Sequence, residues 1–284
     1  MINISKIYAV YFSPNKSTKR ITEYLAREIA GILSENLSGR NNLTELTSID
    51  FTLPPERGMH YSFQEGDLLI FGCPTYAGKL PNKILPFIKE GFSGCGACAI
   101  PIVTFGNRSF DNSLAELADS LESNNFTLLA AGAFCTQHAF TRKLGTGRPD
   151  QRDYRELSEF AEAISYKIKT PCESCGKLSI PGNSDAPYYT PLGTDGNPAV
   201  FLKAKPKTKE ELCDDCGFCA SHCPTGAISP DDFAQITGTC IKCHACVNLC
   251  HGGAKYFDDP AFLSHKRMLE LNFSDERKPN FTTL

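Results

Sequence analysis

Short apolar runs recur along residues 1–169: KIYAVYF (Lys6 to Phe12), DLLIFGC (Asp67 to Cys73), AIPIVTF (Ala99 to Phe105) and FTLLAAGAF (Phe126 to Phe134). Their near-continuous hydrophobicity predicts strands buried on both faces, as in a parallel sheet. Between them lie segments with apolar residues at helical spacing: STKRITEYLAREIAGIL (Ser17 to Leu33), DNSLAELADSLESN (Asp111 to Asn124) and DQRDYRELSEFAEAISYKI (Asp150 to Ile168). A weaker run, Leu43 to Ile49, would complete five strands. Alternation of this kind predicts an α/β fold with a doubly wound five-stranded parallel sheet.

Such sheets take ligands beyond the carboxyl ends of their strands, which directs attention to three loops. The first, FSPNKSTKR (Phe12 to Arg20), gathers hydroxyls, an amide and a cation at a helix N-terminus. Helix-end N–H groups and the dipole favour phosphate there, although neither GxGxxG nor a Walker lysine motif is present. A plain N-cap at Ser17 without a ligand is the alternative. The other two loops, GCPTYAGKLPNKILPFI (Gly72 to Ile88) and TFGNRSFDNSLAEL (Thr104 to Leu117), follow the third and fourth strands.

With these loops in this order the chain resembles a flavodoxin, which implies FMN. By position, Ser13, Asn15, Lys16, Ser17 and Thr18 would meet the FMN phosphate. Pro74, Thr75, Tyr76, Ala77 and Gly78 would line one side of the isoalloxazine, and Gly106, Asn107, Arg108, Phe110 and Asp111 the other. Lys16 stands where the family usually has glycine. Tyr76 has a plainer reading as a half-exposed surface tyrosine.

Two cysteine runs follow, CDDCGFCASHCPTGAI (Cys213 to Ile228) and CIKCHACVNLCHGGA (Cys240 to Ala254), each spaced C-x-x-C-x-x-C-x-x-x-C. This resembles the bacterial 2[4Fe-4S] ferredoxin module, in which three thiolates of one run and the last of the other hold each cluster. The resemblance implies one cluster on Cys213, Cys216, Cys219 and Cys250, and a second on Cys240, Cys243, Cys246 and Cys223. His251 replaces the proline the family usually carries after the last cysteine. Zinc or disulfides are the competing reading, but structural zinc motifs usually separate two C-x-x-C pairs by a longer loop. Of the 14 cysteines, Cys73, Cys95, Cys98, Cys135, Cys172 and Cys175 remain. The pairs Cys95/Cys98 and Cys172/Cys175 could hold a further metal, act as dithiols, or simply be buried.

A chain of 284 residues accommodates about two domains. The boundaries read as 1–169 for the flavodoxin-like domain, 170–209 for a connector, 210–257 for the ferredoxin domain and 258–284 for a C-terminal extension. A net charge of -3 gives no basic excess for nucleic acid or an anionic membrane. No apolar run approaches the roughly 18 residues of a membrane span, and no signal peptide is visible, so a cytoplasmic, reducing location is expected. The connector's APYYTPLG (Ala186 to Gly193) carries rings that should pack against a domain. AFCTQHAFTRKLGTGRPD (Ala133 to Asp150) reads as a structural loop shielding the flavin, with Gln137, His138, Arg142 and Arg148 as secondary candidates.

The order of parts is similar to the flavodoxin-ferredoxin fusion proteins of anaerobic bacteria and archaea. That resemblance implies FMN, two 4Fe-4S clusters and electron transfer between them, as a carrier or relay for unidentified redox partner proteins. No catalytic residue is identifiable. The alternatives are a ferredoxin-fed flavin reductase of a small molecule and a non-redox module with structural metal; a homodimer stays open.

Overall fold

The computed structural model describes residues 2–35, 45–171 and 178–284. Its first half alternates β1 (Lys6–Tyr11), α1 (Ser17–Glu35), β2 (Glu45–Asp50), β3 (Asp67–Pro74), α2 (Leu85–Glu90), β4 (Cys98–Phe105), α3 (Ser113–Ser123), β5 (Ala131–Cys135) and α4 (Gln151–Lys169). The strands pair in parallel in the order β2-β1-β3-β4-β5. This is the flavodoxin-like order of a doubly wound sheet. Side chains alternate across it. Ile7, Ala9 and Tyr11 meet Leu25 and Ile29 of α1 and Leu157 and Ile164 of α4. Val10 and Phe12 face the opposite way, in the core of Ile88, Leu114 and Leu117 on α2 and α3.

The sequence run Phe126 to Phe134 divides in two. Thr127 and Leu128 pair with Cys98 and Ala99, and β5 begins at Ala131. Of the weak second strand, Glu45 to Asp50 are paired with β1, while Leu43 and Thr44 lie outside the described residues.

The C-terminal segment returns to this domain. α5 (Phe218–Ser221) and α6 (Ala245–Asn248) are single turns within the cysteine runs, α7 (Pro260–Phe273) follows them, and β6 (Phe281–Thr283) adds an antiparallel edge to β5. Asp259 caps α7, accepting from the Phe262 N–H at 2.9 Å, and Pro260 occupies its first turn, where a missing N–H costs nothing. Pairing of Lys207–Thr208 with Lys255–Tyr256 closes the cysteine-rich segment. No helix among the described residues is long and apolar enough to cross a membrane.

Polar anchors fix the later segments. The Arg148 guanidinium grips Asp153 at 2.6 and 3.1 Å and also donates to the Lys278 carbonyl at 2.6 Å and Asn280 Oδ1 at 3.0 Å. Lys79, ion-paired with Glu116 at 2.9 Å, donates to the connector carbonyls of Ser184 and Ala186 at 2.7 and 3.0 Å. Tyr188 Oη adds a bond to the Leu80 carbonyl at 2.8 Å, so the connector rings pack as the sequence suggests.

Arg148 and Asp153 are 3% and 0% exposed, and removing one partner of such a pair strands the other. Asp153→Ala is expected to lower the unfolding free energy by about 3–5 kcal/mol at pH 7, read by urea denaturation. Burial opposes ionisation of Asp153, but hydrogen bonds from Arg148, the Asp150 N–H and Asn280 outweigh it and hold the carboxyl below its ordinary value. The native carboxyl pKa is depressed, so its contribution is full above the unfolded value of about 3.9 and is lost as pH falls through the native value. The deficit of the variant should therefore shrink in acid.

Candidate functional site

The carboxyl ends of β1, β3, β4 and β5 open into a cavity of about 620 Å³. Ser17 and Thr18 border it where α1 begins, and first-turn N–H groups there lack intrahelical acceptors. The turn before them has Lys16 at φ 63°, a left-handed conformation that explains glycine as the ordinary occupant of such a position. Ser13 Oγ accepts from the Lys19 N–H at 2.9 Å, and Thr18 Oγ1 lies 2.8 Å from Thr104 Oγ1. These bonds fix the conformation of the loop at the α1 N-terminus, where the helix dipole favours negative charge.

The second loop is a two-residue reversal. Tyr76 and Lys79 exchange backbone bonds at 2.8 and 3.1 Å around Ala77 at φ 48° and Gly78 at φ 78°. Positive φ at both central residues is the geometry of a type I′ turn. Tyr76 is half-buried on the cavity wall. Burial pushes its hydroxyl well above the ordinary value, and Cys243, Cys73 and Cys240 are the neighbours that further oppose ionisation.

Gly106 of the third loop borders the cavity because His138 leaves no room for more: an added Cβ would lie 2.4 Å from His138 Cδ2. Arg108 reaches across it, pairing with Asp111 and lying 4.1 Å from the Tyr189 ring centroid. Of the fifteen flavin-site residues expected from sequence, Ser13, Lys16, Asn107, Phe110 and Asp111 are not among its walls. Asn107 instead donates to the carbonyls of Phe273 and Glu276, both at 2.7 Å, and Phe110 packs on Phe105 and Phe281. Asn15 borders the cavity, yet its side-chain amide donates to the Cys243 carbonyl at 2.6 Å.

The remaining walls come from outside the three loops. They include Tyr188, Tyr189 and Phe201 of the connector, His265 of α7, and the loop Thr239 to Lys242. Sequence reasoning flagged the tyrosine rings only as packing, and nothing local marked His265. His138 accepts the Phe140 N–H on Nδ1 at 3.0 Å, which leaves Nε2 as the protonated nitrogen of the neutral ring. Burial, then the nearby His265 and Arg108, lower its pKa to about 4. Arg142 and Arg148 are not walls, and Arg148 is structural.

The cysteine runs repeat in backbone as well as spacing. Asp215 and Lys242 both have φ 55°, and the Ala227 and Ala254 N–H groups donate to Cys223 and Cys250 sulfurs at 3.2 and 3.3 Å. Cys223, Cys240, Cys243 and Cys246 line one small cavity, the ligand set expected for one cluster. Burial, with Cys246, Cys240 and Cys223 nearby, pushes the Cys243 thiol up, so without a cation beside it the group stays a neutral thiol. The other run meets the end of its partner: His251 Nε2, next to Cys250, lies 2.8 Å from Asp214 Oδ2, next to Cys213. Cys95 is exposed and Cys98 buried, while Cys172 and Cys175 lie outside the described residues.

Residues 206–229 match the family model for a 4Fe-4S binding domain, which covers the first run from Cys213 to Cys223. No curated protein matches the chain. A flavodoxin from the domain Archaea is similar at 15% identity over 58% of this chain and 99% of that one, with a TM-score of 0.38. An NADH:FMN oxidoreductase in its apo form shares 15% identity over 59% of this chain and 91% of its own, TM-score 0.38. The rubredoxin oxygen:oxidoreductase of the anaerobe Desulfovibrio gigas shares 17% over 59% of this chain and 37% of its own, TM-score 0.32. At TM-scores this low the fold assignment rests on the strand order itself. The chain combines a flavodoxin-like α/β domain with a 4Fe-4S binding segment.

Gly106→Ala forces its methyl against His138 and must displace the loop after β5. Overpacking of this kind is expected to cost about 1–3 kcal/mol of stability, measured by urea titration.

Proposed function

We propose that the protein transfers electrons within one chain between two 4Fe-4S clusters and FMN, as a relay of the flavodoxin-ferredoxin fusion type serving redox partner proteins. The observation that carries this reading is the shared wall: the loop Thr239 to Lys242, which includes Cys240, borders the same cavity as the three flavodoxin-like loops. FMN bound there would supply chemistry in one- or two-electron steps, matched to clusters that each carry one electron.

The residues fit that group. Ser17 and Thr18 would hold the phosphate at the α1 N-terminus. The stretch Pro74 to Gly78 would take one side of the ring, and Gly106 and Arg108 the other. Tyr188, Tyr189 and His265 add walls beside Arg108. The four cysteines around the small cavity would hold the cluster nearer the flavin, and Cys213, Cys216, Cys219 and Cys250 the farther one.

A second reading, a ferredoxin-fed reductase of a small molecule, draws support from the polar walls of the cavity. A carrier needs only an exposed ring edge, whereas polar groups converge on this cavity from Arg108, His138 and His265.

Anaerobic analysis should return about eight iron and about eight sulfide per chain, four of each per cluster, with one FMN. Zinc in place of iron, or no flavin, would remove the corresponding assignment. Flavin reduction through the clusters should be independent of protein concentration in the intact chain, since tethering replaces diffusional encounter by an effective concentration of about millimolar or more. Stopped flow with a cluster-selective reductant reads this directly. A rate that scales with concentration would mean transfer between chains.

A further inference from the structure

The two cysteine runs correspond position by position, C-D-D-C-G-F-C against C-I-K-C-H-A-C, which sets His244 opposite Gly217. Their backbones agree: φ is 70° at Gly217 and 61° at His244. Glycine adopts this left-handed conformation freely, whereas a residue with a Cβ resists it. His244 is therefore held where its own side chain is disfavoured.

The placement is unfavourable in a second way. His244 is 5% exposed, and its Nε2 is buried with no hydrogen-bond partner in the protein. Such groups are rare because an unmet polar atom in the interior is costly. The ring stacks on Phe257 at 4.5 Å and 9°, with Phe140 and Phe262 at 4.7 and 5.1 Å. None of these neighbours offers Nε2 a conventional hydrogen-bonding atom. His244 is absent from the walls of the large cavity, and it lines the small one together with Cys223, Cys240, Cys243 and Cys246.

We propose that His244 donates its Nε2–H to a sulfur of the cluster bound by Cys223, Cys240, Cys243 and Cys246, and so raises the potential of that cluster. This rests on the iron-sulfur reading given above. A donor aimed at cluster sulfur stabilises the extra negative charge of the reduced state, and hydrogen bonds to sulfur are one of the levers that set cluster potentials. The other run has Gly217 at the matching position and lacks a side-chain donor there. The two clusters would thus differ through one residue, with the electron favoured on the cluster whose loop borders the flavin cavity.

The test uses the full-length protein with its clusters, reduced anaerobically. Pulsed electron paramagnetic resonance of protein carrying 15N-histidine should show a histidine nitrogen and an exchangeable proton coupled to one cluster signal. His244→Phe keeps a ring of similar shape but removes the donor; it should abolish that coupling and lower the potential of that cluster alone. His244→Gln, which restores an N–H donor, should recover part of the shift. Intact clusters without nitrogen coupling in the native protein, or a His244→Phe potential equal to the native one, would overturn the proposal. His222 and His251 flank Cys223 and Cys250, so a coupling is assigned to His244 by its loss in His244→Phe, whereas absence of coupling in the native protein overturns the proposal even where a variant loses its cluster. A zinc-loaded, colourless protein would instead overturn the iron-sulfur reading and take this proposal with it.

Discussion

The hydrogen bond from Asn15 to the Cys243 carbonyl, 2.6 Å long and spanning 228 positions of sequence, is the contact on which the site depends. It joins the β1–α1 loop to the second cysteine run, and Asn248 completes it by donating to Asn15 Oδ1 at 3.0 Å and to the Ala139 carbonyl through the same amide at 2.9 Å. A loop at the strand ends, a cysteine run and the segment after β5 therefore meet at one place. Hydrogen bonds of this kind contribute only about 0.5–1.5 kcal/mol each to stability. Their larger effect is geometric, because they fix which side chains face one another across the cavity.

Other contacts bear the mechanical load of that junction. Arg57 donates to the carbonyls of Phe51 and Thr52 and also to Pro224, directly after Cys223, so one guanidinium fastens the cysteine-rich segment to the end of β2. Burial lowers the Arg57 pKa, yet an arginine remains charged at any working pH, and three carbonyl oxygens take three of its five donors. On the opposite side Lys79 fixes the connector, whose Tyr189 N–H donates to the Ala77 carbonyl at 2.8 Å in the turn that carries Tyr76. The cavity is thus roofed by a segment anchored to the same loops that form its floor.

The α/β frame was legible because its strands are buried on both faces, which leaves a continuous apolar signal, and its helices carry one apolar stripe. The cysteine runs were legible because spacing alone specifies them. β6 was not, since three residues, Phe281 to Thr283, form an edge strand only when β5 is present to pair with. The flavodoxin resemblance places Asn15 and Asn107 by position as flavin contacts, but their side-chain amides are taken up by partners more than 160 positions away. Lys16 marks the opposite case. Its departure from glycine was visible in the sequence, and the observed φ of 63° gives the reason glycine is usual there. His265 carried no local signal because α7 alone does not indicate that one of its residues will border a distant sheet.

Walls from outside the strand-end loops change what the cavity can do. In an open groove, charges such as Arg108 are screened by water, and a bound ring would meet whatever partner diffuses to its edge. Here aromatic side chains and a cysteine-run loop add walls beyond the three strand-end loops. Under the proposed function, Cys240 on the cavity wall would give electrons a protein-bounded route to a bound flavin, with Tyr188, Tyr189 and Phe201 bordering the same cavity. Asp111 and the Tyr189 ring hold Arg108, and the Phe140 N–H holds His138, so these groups keep fixed orientations toward anything bound between them. If the proposed flavin binds there, a chain that only shuttled electrons between proteins would gain little from walls added by the connector and α7. On that proposal, the added walls favour a site where delivered electrons are used, or are held until a second one arrives.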